Sequence, residues 1–357
     1  MSGAWVFSRY EDLHEHPRVH FLRAPGIISL ISNFGLVPHQ AGSFQMPRVS
    51  VITLSHNRPS LLSRSIASVL SQDYSDFELI VVDDSSSDEP RKVVNSFVDP
   101  RIEYIGLESA IAASAADNVG IKSAHGDYIA FLDDDDEWLP TKLSKQVMAF
   151  SRAGSSVGLI YTGINYIDEV KGSRKSFLPA CRGRVFDRLL MGCFIWAQSS
   201  VMIRRDIIAE VNGFDGALPC MHDWDLYLRI AKKYEFDYIP EVLVNYYCDY
   251  GGLNRNIEKR LQGQSIVYGK IGPQIKSKKV WSDYYFHRGV WLFMLGDHLE
   301  GGRCLVKSLQ CNWKNLRALP LIGLSMMGSA AFNKIYSLFE STPLAKYLAN
   351  ISGYRSV

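Results

Sequence analysis

The sequence predicts an α/β fold: a mostly parallel sheet flanked by helices, followed by a region of helices alone. Three observations carry that expectation. Between residues 49 and 133, apolar runs of strand length alternate with segments whose apolar residues recur every three or four positions. Such alternation argues for parallel strands joined by helical crossovers. The unusual polar residues of this stretch stand at the ends of the runs, where open α/β sheets bind ligands. Beyond about residue 252 the strand pattern stops.

Taken in order, VSVITL (49–54) is a β-branched run, broken by Asn57-Arg58-Pro59. Leu61, Leu62, Ile66, Val69 and Leu70 then mark one face of an amphipathic helix. FELIVVDD (77–84) is a second buried strand ending in acid. RKVVNSFV (91–98) reads as helix, RIEYIGL (101–107) as a third strand, and residues 110–124 as a helix of small residues. DYIAFLD (127–133) is the fourth strand. After Pro140 comes a helix with Leu143, Val147 and Phe150 on one face, and VGLIYTGINYI (157–167) and SSVMI (199–203) are later strands. HDWDLYLRIAKK (222–233) is a helix that faces Trp224, Leu226 and Ile230 inward. Residues 284–310 predict two helices joined by a turn at Gly296-Asp297. Residues 1–46 show no clean period and are taken as an N-terminal extension.

The chain has 357 residues, with 47% apolar and 21% charged, so it suits one large soluble domain or two smaller ones. Its formal charge of +2 hides an asymmetry: residues 253–357 carry 15 Lys/Arg against 5 Asp/Glu, a net of +10, leaving −8 for residues 1–252. The two parts are expected to face different surroundings. Six cysteines (181, 193, 220, 248, 304 and 311) form no CxxC pair and no zinc spacing, and most stand among apolar residues as reduced thiols do. The start of the chain lacks the basic and apolar pattern of a secretory leader. No apolar window reaches the roughly 18–20 residues of a spanning helix. GIISLISNFGLV (26–37) and LPLIGLSMMGSAAF (319–332) are shorter stretches able to lie on a membrane. The cytoplasm is the expected compartment, with peripheral contact on the cytoplasmic membrane face as the alternative. No nucleic-acid partner is expected.

Four consecutive aspartates, Asp133 to Asp136, end the fourth strand and are followed by Glu137. Like charges this close oppose one another's ionisation, so the chain either lets water disperse the repulsion or neutralises it with something. Mg²⁺ binds through one or two carboxylates together with substrate phosphates, and Mn²⁺ accepts the same oxygens. The competing explanation is a cap, Asp136 or Glu137, for the helix after Pro140. A cap needs one acid, or two, and leaves the others unexplained. Asp83-Asp84 ends a neighbouring strand; it is either a polar turn or a carboxylate that accepts a hydrogen bond from a nucleobase. Asp223, near a helix start, is either an N-cap or a general base that takes a proton from an attacking hydroxyl. His56 is a lone histidine at a strand end.

Three stretches carry a resemblance: VSVITLSHNRPSLLSRSIASVLSQDYSDFELIVVDDSSSDE, DNVGIKSAHGDYIAFLDDDDEWLP and GFDGALPCMHDWDLYLRIAKKYEFDYIPE. In order and spacing they resemble glycosyltransferase family 2, inverting enzymes of the GT-A fold, over about residues 48–250. The resemblance implies a Rossmann-like GT-A domain at 47–252 followed by a helical region at 253–357. It implies a hexosyltransferase that moves a sugar from a nucleotide-diphosphate donor, usually a UDP-sugar, to a saccharide or lipid-linked acceptor. Asp84 matches the aspartate that binds the base, with Ser55 and His56 also on the donor side. Asp133-Asp134-Asp135 matches the DxD region: Asp135 is the principal Mn²⁺ or Mg²⁺ ligand, and Asp133 or Asp134 contacts the ribose or supports the metal. Asp223 matches the catalytic base. Residues 198–215 resemble the wall between donor and acceptor.

Three departures stand out. His56 replaces an aromatic that packs on the base. Ala116-Asp117-Asn118 stands where Ala-Arg-Asn is usual, and His222-Asp223 where Glu-Asp is usual. Two other readings compete: a sugar-phosphate nucleotidyltransferase, against which LSHNRPS lacks the glycine-rich, lysine-bearing loop, and a catalytically weak donor-binding or scaffold homologue.

Overall fold

The computed structural model describes residues 48–248 and 256–326. The N-terminal extension with its 26–37 stretch, and the end of the 319–332 stretch, lie outside the described residues. The first part of the chain alternates β1 (Val49–Ser55), α1 (Pro59–Leu70), β2 (Phe77–Asp83), α2 (Glu89–Ser96), β3 (Ile102–Gly106), α3 (Ala113–Ser123) and β4 (Tyr128–Phe131). Then follow β5 (Glu137–Trp138), α4 (Lys142–Arg152), β6 (Val157–Asp168), β7 (Ser173–Phe177), α5 (Phe186–Leu190), β8 (Val201–Arg204), α6 (Arg205–Glu210), α7 (His222–Ala231) and β9 (Glu235–Tyr247). Among the described residues the rest is helical: α8 (Ile257–Ile271), α9 (Lys278–Met294), α10 (His298–Cys311) and α11 (Ala318–Met326).

The strands form one sheet in the order β3-β2-β1-β4-β8-β6-β9-β5, with β7 paired to β6. The block β3-β2-β1-β4 is parallel throughout. β8 enters antiparallel between β4 and β6, and β6 runs parallel to β9. The period of two decides which side each strand residue serves. Ile52, Ile80 and Val82 join one core cluster, whereas Val51, Leu79 and Val81 join the cluster on the other face.

The parallel block puts the carboxyl ends of β1, β2 and β4 side by side, with Ser55 paired to Asp83 and Ile52 to Phe131. The helical region is anchored to the same core: Val267, Tyr268 and Ile271 of α8 belong to the first cluster. Lys270 fixes the contact by bridging Asp215 at 2.6 Å and Asp225 at 2.7 Å. The expected helical pair is α9 and α10; its turn takes Gly296 at φ +85°, where a side chain is strained, and Asp297 caps α10 through the Glu300 amide. No helix among the described residues is long and apolar enough to cross a membrane. All six cysteines are free thiols.

Candidate active site

The three expected strand ends meet at one rim. Ser55 closes β1 with its hydroxyl buried and without a hydrogen-bond partner, while its carbonyl accepts the Asp84 amide at 3.2 Å. His56 exposes its ring and puts Nδ1 2.7 Å from Asp84 Oδ1. Its backbone N–H donates to Asp134 Oδ2 at 3.4 Å. Asp83 is spoken for by structure: its carboxylate accepts Tyr104 Oη–H at 2.7 Å and the Ser85 amide at 3.0 Å. A polar cavity of about 260 Å³ opens beside it, lined by Ser85, Ser86, Arg91 and Tyr104.

A tight turn explains how four acids in a row become a cluster. The Asp136 amide donates to the Asp133 carbonyl at 3.0 Å, folding the segment back on itself. Carboxylate oxygens of Asp133, Asp135 and Asp136 thereby fall within 4.8 Å of one another. Asp134 leaves this group: it is buried, with Oδ1 2.9 Å from Arg58 Nη2. The same guanidinium reaches Asp135 Oδ2 through Nη1 at 2.8 Å. Arg64 holds the turn by donating to the Asp135 carbonyl at 2.6 Å, its guanidinium lying 3.7 Å from the Tyr247 ring centroid.

The helix-cap explanation fails for Asp136, because α4 begins only at Lys142. Asp136 is fully buried, accepting Ser199 Oγ–H at 2.5 Å and the Tyr247 amide at 3.1 Å. Burial, then Asp133 and Asp135, push its carboxyl well above the usual range. Burial also pushes Asp133 up, to about 7, with Asp135 and Asp134 adding repulsion. Carboxylates held unwilling to ionise are poised for a cation, and an all-oxygen donor set of this kind fits a hard divalent ion.

Asp223 lies one residue inside α7 rather than at its cap, and its charge acts on Asp133, Asp117 and Cys193 alike. Two of the departures noted in the sequence turn out to be neighbours here. Asp117 of α3 and His222 of α7 put Oδ2 and Nε2 3.6 Å apart, both largely buried. Gln198 Nε2 donates to the same Asp117 oxygen at 3.2 Å. Burial holds the Asp117 carboxyl well above its ordinary value and His222 below its own, so each favours its neutral form over an ion pair.

Residues 50–211 match the family described as Glycosyl transferase family 2. The UDP-Glc:alpha-D-GlcNAc-diphosphoundecaprenol beta-1,3-glucosyltransferase WfgD of Escherichia coli is 35% identical over 223 residues, covering 62% of this chain and 85% of that protein. The chain belongs to glycosyltransferase family 2. Solved structures agree on the fold. The mannosyltransferase PcManGT of Pyrobaculum calidifontis, solved with GDP-Man and Mn²⁺, superposes with a TM-score of 0.55 at 17% identity, over 88% of this chain and 86% of that one. S. aureus TarS 1–349 with UDP-GlcNAc gives 0.56 at 15% identity, over 86% and 88%. The protein is therefore a glycosyltransferase of the GT-A fold, and the nucleotidyltransferase alternative falls away.

Arg58 and Arg64, which hold the acidic turn, were not singled out in the sequence; Asp136 entered there only within the aspartate run or as a cap, and Gln198 only as the start of the 198–215 wall. Arg58 had one signal: a cation at the carboxyl end of β1, immediately before the proline that opens α1. The partners of Asp136 had none, since Tyr247 is 111 positions away.

Proposed function

We propose that this family 2 glycosyltransferase moves a hexosyl unit from a UDP-sugar to a hydroxyl of a saccharide or lipid-linked acceptor, inverting the anomeric centre in one displacement. The observation that carries the reading is the cluster of Asp133, Asp135 and Asp136 beside Asp223. Asp135 and Asp133 would hold Mn²⁺ or Mg²⁺, with Asp136 behind them. Once bound, such an ion acts as a Lewis acid on the leaving diphosphate and orients it.

The chain's own residues divide the remaining tasks. Asp84, with His56 against its Oδ1, accepts a hydrogen bond from the uracil ring N–H, and Ser55 completes the strand end beneath it. Asp134 keeps Arg58 at the rim, where the same guanidinium also holds Asp135 Oδ2, the contact that a bound cation would share or replace. Asp223 orients the acceptor hydroxyl, takes its proton as the oxygen attacks the anomeric carbon, and so needs no covalent intermediate. The UDP-Glc donor and diphosphoundecaprenol-linked acceptor in the name of WfgD support the choice of nucleotide and of acceptor class. In this reading residues 47–252 are the catalytic domain and 253–357 a helical region on its acceptor side. The enzyme then acts in the cytoplasm at the membrane face.

The test is release of nucleoside diphosphate from UDP-sugars with Mn²⁺, for wild type, Asp135→Ala and Asp223→Asn. Metal-dependent release that both substitutions abolish supports the reading. Release that survives EDTA, or survives both substitutions, removes it.

A further inference from the structure

A second cavity, of about 440 Å³, lies between the loop after α5 and the helical region. Its wall includes Cys193, Gln264, Tyr268, Lys279, Tyr284 and Arg317. It adjoins the chemistry on one side: Tyr268 packs edge-on against Trp224, next to Asp223, with ring centroids 5.7 Å apart. Cys193 marks the same border, since the charge of Asp223 adds to the burial that pushes its thiol up.

The wall is chemically mixed in a specific way. Tyr268 and Tyr284 lie 4.4 Å apart and offer aromatic faces. The side-chain oxygen of Gln264, a residue only 2% exposed, has no hydrogen-bond partner. A buried acceptor left without a donor is costly, and a ligand hydroxyl would satisfy it. The wall carries one positive charge in excess. Its carboxylate, Asp283, pairs with Arg317 at 2.9 Å, whereas Lys279 has no carboxylate at ion-pair distance among the described residues. His287 of the same wall is held neutral: burial, then Arg317 and Arg260, lower it to about 4. Aromatic faces, one unmet acceptor and an unmatched cation suit a sugar that carries an anion.

We infer that this cavity binds the acceptor, and that it recognises a saccharide bearing phosphate on its anomeric oxygen, with the sugar against Tyr268 and Gln264 and the phosphate at Lys279 and Arg317. The inference rests on Asp223 being the base, whose charge reaches Cys193 in the cavity wall. The phosphate has two sources, a soluble sugar phosphate and a lipid-linked diphosphate, and the shared chemistry is the anionic group on the sugar.

Calorimetry with N-acetylglucosamine 1-phosphate and with N-acetylglucosamine tests it, in EDTA so that no cation at the acidic rim captures the anion. Wild type should bind the phosphate at least about tenfold more tightly than the neutral sugar, and Lys279→Glu should erase that preference. Gln264→Leu should weaken both sugars several-fold. Lys279 is exposed and has no ion pair among the described residues, and an unchanged Tm for Lys279→Glu shows that its loss of preference is a loss of binding and not of fold. A phenoxyundecyl diphosphate of the same sugar separates the sources: tenfold tighter binding assigns the lipid carrier, equal binding the soluble form, and both support the site. Equal affinity for phosphorylated and neutral sugar, a Lys279→Glu protein that binds like wild type, or no heat at millimolar ligand overturns it. Those failures would leave metal-dependent donor hydrolysis untouched, so they are distinct from failure of the reading on which the inference rests.

Discussion

Two sets of buried aspartates in this molecule meet opposite fates. Asp225 on α7 is 3% exposed and fully matched: Arg229 Nε lies 2.8 Å away and Lys270 Nζ 2.7 Å away. The rim is matched only in part. Asp133, Asp135 and Asp136 converge with Arg58 as the cation at Asp134 and Asp135, and two of the three carboxyls are driven upward. An acid that serves the fold brings its counter-charge from the chain. An acid that serves chemistry waits for one from outside.

The difference can be broken by substitution. The largest expected effect is on transfer: Asp223→Asn should reduce kcat by about 10²–10⁴-fold, the usual value of a positioned general base. Asp135→Ala should do so by about 10²–10³-fold, the scale of one lost electrostatic contact to developing charge. Neither should lower the Tm. Asp225→Ala should do the reverse, costing about 1.5–3 kcal/mol in denaturant unfolding by removing the charge-assisted contacts to Arg229 and Lys270, with activity per folded molecule retained. Equal loss of Tm in both sets would erase the distinction.

Arg58 is the next lever. Arg58→Ala leaves the rim without its internal cation, so metal-free protein should melt lower, and Mn²⁺ should raise the Tm of the variant by more than it raises that of wild type. A scan with and without the ion reads this directly.

The pH dependence follows with a definite sign. In metal-free protein Asp133 stands at about 7 against an ordinary 3.8. Between those values the folded state keeps a proton that the unfolded state releases. This contribution is therefore complete below about pH 4 and is lost as pH rises through about 7, by up to about 1.4 kcal/mol per pH unit. Subtracting the Asp133→Asn profile from that of wild type isolates it. Mn²⁺ affinity should rise over the same window, since ligands must lose their protons.

The smallest effect concerns Asp117 and His222. Asp117→Arg and His222→Glu should each impair donor KM, whereas the double exchange should recover it, with a coupling of about 1 kcal/mol. Additive losses would mean that the two positions act independently.

The sequence made the parallel block legible because β1, β2 and β4 are buried on both faces and read as unbroken apolar runs. It hid β9, in which Pro240 cannot donate to a ladder and falls where the register with β6 shifts between Thr162 and Gly163. It hid β7, SRKSF, which is largely exposed and has no apolar face to announce it. At the site, the acids were visible as a density of like charge. Their division of labour was not, because it depends on the turn that groups Asp133 with Asp135 and Asp136 and sends Asp134 to Arg58. The closeness of Asp117 and His222 joins residues 105 positions apart in the chain, a contact made by tertiary packing alone.

The most direct test is a calorimetric titration of Mn²⁺ into well-folded protein at pH 8, with and without UDP. The account predicts uptake of an ion that UDP strengthens and that Asp135→Ala abolishes while Asp225→Asn does not. Absence of Mn²⁺ and Mg²⁺ uptake under both conditions would contradict it.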